Sequence, residues 1–113
     1  MTGQWNLRVV LIREENLWVA QCLEFDIAAQ GATIIEAQSS FVRTFVGQAL
    51  LDVAAGKRPF ADFKPAPDWY VEQFEAALQG ELAHKLTLGS PLGALTDESN
   101  ARLSAVADVR VAA

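Results

Sequence analysis

The sequence predicts a two-layer α+β domain, in which an antiparallel sheet of three or four strands carries a long amphipathic helix on one face. Residues 5–13 and 17–24 are apolar runs with a two-residue alternation, and the short polar segment 14–16 separates them. Such runs should pair as an antiparallel hairpin. A helical apolar pattern then begins at Ile34, and a second, accessory helix follows it. The chain has 113 residues, which suits one domain. We expect its core over about 5–56 and an accessory segment over about 57–113.

The start of the long helix carries the clearest local signal. Residues 27–30 read as a short third strand that ends at Gly31, where we expect a positive φ. The spacing of Thr33 and Glu36 is that of a capping box. The Thr33 hydroxyl should accept from the N–H of Glu36, and the Glu36 carboxylate should accept from the N–H of Thr33. We therefore assign Gly31, Thr33 and Glu36 structural capping roles.

The long helix should bury one stripe of side chains and end at Gly56. The stripe comprises Ile34, Ala37, Phe41, Phe45 and Ala49, is widened by Ile35, Val42, Val46, Leu50 and Val53, and is bordered by polar residues that include Asp52. Gly47 inside the helix is interpreted as a close approach to the sheet or a slight kink, because an interior glycine usually has a packing reason. A hinge or a close helix–helix dimer contact is the alternative.

The second half begins with Pro59, Pro65 and Pro67, which exclude a long helix there, while Phe60 and Phe63 should dock on the core. Asp68 can cap a second helix over about 68–78 that buries Tyr70 and Phe74. Residues 82–88 suit either a strand or a continuation of that helix, and 97–104 suit a short helix. Residues 107–111 alternate as a half-exposed strand, which could cross between chains.

Composition narrows the functional classes. The net charge is −5, and the scattered basic residues Lys57, Arg58 and Lys64 are a weak footprint for nucleic acid. Cys22 is the one cysteine, and no apolar stretch reaches the ~18 residues of a membrane span. With no signal peptide before the first strand, we expect a cytoplasmic protein without a membrane segment. No phosphate-binding loop or nucleophile motif occurs, and one histidine with one distant cysteine does not suggest a metal site, so no cofactor is expected.

Two segments resemble the HicB antitoxin-like family, specifically its N-terminal domain, a reduced version of the RNase H fold. They are residues 18–24 (WVAQCLE) and 30–37 (QGATIIEA), and the resemblance covers the chain to about residue 51. It implies a non-catalytic antitoxin that occludes a small RNA-cleaving toxin and forms a homodimer or higher oligomer. The segment from Pro59 onward contains no basic recognition helix, so a DNA-binding role is doubtful.

Three residues are candidates for partner binding. Glu24 and Asp26 would point to the same side if their strand continued, and Trp69 could be an exposed aromatic anchor. One alternative is a stand-alone HicB-like homo-oligomer with a structural or regulatory role and no toxin. A remote alternative is a degenerate metal-dependent nuclease, although the first strand has no acid over residues 7–12 to complete a two-metal site.

Overall fold

The computed structural model describes residues 2–77, 84–87 and 102–112 and has an α+β fold, as the sequence predicts. Its elements are β1 (Thr2–Glu14), β2 (Leu17–Cys22), β3 (Ala28–Gly31), α1 (Ile34–Ala54), α2 (Asp68–Ala76), β4 (His84–Thr87) and β5 (Arg102–Val111). The predicted end of the second helix at residues 78–80 and most of the predicted short helix at 97–101 lie outside the described residues. The last three positions of that predicted helix, 102–104, belong instead to β5.

The five strands form one sheet in the order β3-β2-β1-β5-β4. β1 pairs antiparallel with β2 across a turn at Glu15, whose φ is 53°. β5 lies parallel to β1, with Val9 opposite Val109, so the sheet is mixed and the purely antiparallel prediction is wrong. A parallel neighbour needs a long crossover, which the chain between β1 and β5 supplies. β5 pairs within its own chain, so the predicted crossing between chains is not needed.

α1 packs on one face of the sheet and buries the predicted stripe. Ala37, Phe41, Phe45 and Ala49 are fully buried against alternate residues of β1 and β5. The predicted widening of the stripe is wrong at two positions, since Ile35 is 75% exposed and Leu50 is 49% exposed. The helix therefore buries a narrower stripe than its composition suggests, and its outer surface carries apolar side chains.

An aromatic cluster around Phe60 packs against one end of this core. Phe60 stacks on Phe45 at 4.3 Å and on Phe25 at 4.7 Å between ring centroids, and Trp5 meets Phe60 edge-on at 5.3 Å. The predicted docking of Phe60 is thereby confirmed. Asp52, expected at the border of the helix stripe, is 9% exposed and accepts the backbone N–H of Phe60 at 2.7 Å. A buried carboxylate thus fixes the chain that leaves α1.

The second helix packs on the opposite face of the sheet, which gives the domain helices on both sides. Phe74 of α2 packs with Val10, Ile12 and Leu23 in a separate cluster. The predicted capping by Asp68 is wrong, because Pro67 is the N-cap and no side chain caps α2. Proline has no backbone N–H to donate. It is tolerated at the start of a helix because the N–H groups there have no intrahelical acceptor.

The capping residues of α1 lie where the sequence places them, with two corrections. The Thr33 hydroxyl accepts from the N–H of Glu36 at 3.1 Å, but the Glu36 carboxylate accepts from the N–H of Ala32, not of Thr33. Gly31 does not have a positive φ. A Cβ there would lie 2.5 Å from the backbone nitrogen of Ala37, so glycine is needed because helix and strand approach closely.

Two further glycines, Gly47 inside α1 and Gly56 just after it, have different outcomes. Gly56 has a φ of 74° and follows the C-cap, which confirms its predicted role. The predicted close approach of Gly47 to the sheet is wrong, because a Cβ there would meet nothing within 4 Å. Gly47 therefore has no packing reason among the described residues.

Candidate partner-binding groove

The face opposite α1 is covered by α2, among the described residues, over only part of its length. Beyond α2 it has a depression of about 290 Å³, lined by Asn6, Leu7, Arg8, Glu24, Val106 and Asp108. Even-numbered residues of β1 point to this face, and the parallel register places Arg8 opposite Asp108. The groove thus lies on the central strand pair of the sheet, and charged side chains line it.

The Glu24 carboxylate is held by both main-chain and side-chain groups of Arg8. The Arg8 backbone N–H donates to Oε1 at 2.6 Å, and its Nε donates to Oε2 at 2.7 Å. The Leu23 N–H donates back to the Arg8 carbonyl at 2.9 Å, which ties the residues after β2 to β1. Both carboxylate oxygens are used, so Glu24 orients the partly exposed Arg8 guanidinium toward the groove.

Asp108 presents a second carboxylate to the groove. Its side chain is 40% exposed, and the guanidinium of Arg110 lies 3.9 Å away, too far for a hydrogen bond. Arg110 is itself turned toward α2, where it donates to the Phe74 carbonyl at 3.2 Å and lies 4.2 Å from the centroid of that ring. Among the side chains that the structure describes, Asp108 therefore has no hydrogen-bond partner, and its exposed carboxylate lines the groove.

The structure does not bring the three predicted candidate residues together. β2 ends at Cys22, so Glu24 and Asp26 do not extend along one strand. Asp26 is exposed and accepts from the Gln21 amide at 2.9 Å, whereas Glu24 is paired with Arg8. Trp69 is 49% exposed and contacts Tyr70 edge-on at 5.0 Å, but it is not part of the groove lining.

Sequence reasoning missed Arg8 and Asp108. Each is a charged residue inside an alternating apolar strand, which is a detectable signal. Arg8 and Asp108 become neighbours because β1 pairs in parallel with β5. The two strands lie far apart in the sequence, and neither run of residues predicts that they pair in this register.

Other chemistry is sparse in the described part of the chain. Residues 2–77, 84–87 and 102–112 contain no group of three or more side chains suited to hold a metal ion. Cys22 is fully buried, and burial raises the pKa of its thiol to about 11. Neither described helix is both long and apolar enough to cross a membrane.

Comparisons of the chain with family models, with curated proteins and with solved structures found no match.

Proposed function

We propose that the chain is a non-catalytic protein-binding module that acts as a HicB-type antitoxin does, by covering the active face of a small RNA-cleaving toxin. The proposal rests on the resemblance of residues 18–24 and 30–37, which form β2, β3 and the first turn of α1. The observation that carries it to a site is the open groove beside α2, where the charged residues Arg8 and Asp108 flank exposed sheet surface. The mechanism is steric and changes no covalent bond.

The groove favours a basic partner. In its described lining Arg8 and Glu24 neutralise each other, so Asp108 leaves that lining negatively charged, and the whole chain carries a net charge of −5. Complementary charge speeds encounter and selects the partner more than it adds affinity. A lysine or arginine of the partner would pair with Asp108, while the Arg8–Glu24 pair fixes the shape of the wall beside it.

The proposal places the protein in the cytoplasm, where its buried, unpaired Cys22 would stay reduced. It assigns no role to DNA and no cofactor. It treats Glu24 as a structural partner of Arg8, because both oxygens of that carboxylate already accept hydrogen bonds.

The test is a pull-down from native lysate with tagged protein, read by mass spectrometry and followed by an RNA-cleavage assay on what is recovered. We expect one small basic protein in near-equal amount, whose RNA cleavage the added domain inhibits. Asp108→Arg should reduce recovery at least about tenfold, as reversal of an interfacial charge does. Asp62→Arg is the matched control, since Asp62 is exposed and pairs only locally with Lys57.

Other outcomes would favour the alternatives. Recovery of the protein alone would support the stand-alone homo-oligomer without a toxin. Metal-dependent RNA cleavage by the purified chain itself, abolished by Glu24→Gln, would support the degenerate nuclease and refute the non-catalytic proposal.

A further inference from the structure

β3 is one of the two edge strands of the described sheet, and it has few of the features that protect such edges from pairing. The strand reads Ala28–Gly31 (AAQG), without charge or proline. Ala28 and Gln30 are exposed. Shortness is its one protective feature, and a short strand can still pair with another copy of itself.

The hydrogen-bond pattern shows which backbone groups of β3 point outward. Cys22 donates its N–H to the Ile27 carbonyl at 2.9 Å, and hydrogen-bonded positions alternate along an antiparallel pair. Ala29 and Gly31 therefore face β2, as their register with Ala20 and Trp18 requires. The N–H and C=O groups of Ala28 and Gln30 point away from the sheet.

Among the described residues, backbone contacts cover the position before this strand. The Asp26 N–H donates to the Lys64 carbonyl at 2.7 Å, so the proline-rich segment covers the approach to β3. No described backbone hydrogen bond outside the sheet ladder uses Ala28 or Gln30. Their outward groups are symmetric about Ala29, whose methyl side chain is small enough for two copies to meet there.

The helix above this edge has a matching flank. α1 approaches β3 and β2 most closely among the strands. Val42 and Val46 pack against the core, so they lie on the flank that faces the middle of the sheet. The opposite flank overhangs the edge and carries Ser40, Thr44, Gly47 and Leu51, with Leu51 66% exposed. These positions fall on one stripe of the helix.

We propose that two copies of this chain associate through antiparallel pairing of β3 with β3, about a two-fold axis at Ala29. Ala28 of each copy faces Gln30 of the other, and each such pair exchanges two backbone hydrogen bonds. Strands lie about 4.8 Å apart, so helices seated over the β3–β2 edge approach to roughly 10 Å, the distance at which helices pack. Small residues at 40, 44 and 47 permit that approach, and Leu51 becomes covered.

This dimer accounts for two features that the isolated chain leaves without a reason. A glycine inside a helix lowers the stability of that helix by about 1 kcal/mol relative to alanine, and a Cβ at Gly47 would meet nothing among the described residues. Leu51 exposes two-thirds of its surface. The interface lies on the edge and face of the sheet away from the β1–β5 groove, so it does not depend on the proposed function.

The experiment is sedimentation equilibrium of the full chain over roughly 1–200 µM, which spans the affinities of small interfaces. We expect a monomer–dimer equilibrium. Gln30→Pro removes the outward N–H at a position where an edge strand tolerates proline, and should weaken the dimer at least about tenfold. Gln30→Ala keeps the N–H and should leave the dimer intact.

A second pair of variants tests the helix flank and guards against a folding defect in Gln30→Pro. Thr44→Arg should weaken the dimer by a similar factor. Ser39→Arg is the control and should not, because Ser39 is exposed and lies ~140° away from Thr44 around the helix. Circular dichroism checks that each variant is folded. A wild-type chain that stays monomeric throughout the concentration range overturns the proposal, and so does a dimer that resists both Gln30→Pro and Thr44→Arg.

Discussion

Asp52 should be a main stabiliser of the loop after α1, and its replacement provides a quantitative test. Its Oδ2 accepts the buried Phe60 N–H at 2.7 Å, and its Oδ1 accepts the Gln48 amide at 3.0 Å. Loss of a charged acceptor from a buried donor costs about 1.5–3 kcal/mol. Phe60 is held at a φ of 63°, in the left-handed region. This conformation costs a phenylalanine about 1–2 kcal/mol, and the hydrogen bond to Asp52 helps to maintain it.

Asp52→Ala should therefore lower the free energy of unfolding by about 2–4 kcal/mol, or Tm by roughly 8–20 °C. Asp52→Asn keeps an acceptor for the Phe60 N–H and should lose about 1–2 kcal/mol. Urea denaturation followed by circular dichroism measures both. Asp62→Ala is the control, because that exposed carboxylate pairs with an exposed lysine and its removal should leave the midpoint near wild type. A loss below about 0.5 kcal/mol for Asp52→Ala would refute the reasoning.

Three further predictions concern stability and reactivity. Gly31→Ala should destabilise the fold by about 2–3 kcal/mol, because the added Cβ would clash with the backbone of α1. Gly56→Ala should cost less, about 1 kcal/mol, because alanine is strained at a φ of 74°. Thermal denaturation ranks the two variants. The Cys22 pKa is raised to about 11 from 9.0, so its contribution to stability is full below pH 9 and is lost between pH 9 and 11. A thiol reagent at pH 8 should accordingly label Cys22 rapidly only in urea, and fast labelling of the native chain would contradict this. Arg110→Gln removes the hydrogen bond to the Phe74 carbonyl and the contact with the Phe74 ring. Amide hydrogen exchange across α2 should therefore accelerate. Unchanged exchange in α2 would show that Arg110 does not stabilise this helix.

The sequence predicts the part of the fold that local rules determine. The alternation on either side of Glu15 gives the hairpin, and the Thr33–Glu36 spacing gives the start of α1, because strands and helix caps depend on neighbouring residues. The parallel pairing of β1 with β5 depends on contacts between distant parts of the chain. Asp52 and Phe60 illustrate the same limit, since neither a buried carboxylate in a helix nor a phenylalanine at positive φ follows from its own sequence neighbourhood.

The site was predictable in part for a related reason. Glu24 stands out in the sequence and lines the groove, but the sequence does not reveal its partner Arg8. Trp69 is exposed as an anchor should be, yet it lies on α2 outside the groove lining. Exposure can be anticipated from the position of a residue on a helix, whereas membership of a common site requires the packing of helix against sheet.

The two faces of β1 explain why the groove lies where it does. The odd positions Leu7, Val9 and Leu11 are apolar throughout, and α1 with its aromatic cluster closes that face. The even positions change along the strand, from Asn6 and Arg8 to apolar residues at 10 and 12. α2 covers only the apolar half. Burial of the Arg8–Glu24 ion pair under a helix would carry a desolvation cost. In the described part of the chain the polar half of the same strand face is therefore left uncovered, and the change from polar to apolar residues along β1 coincides with the limit of α2.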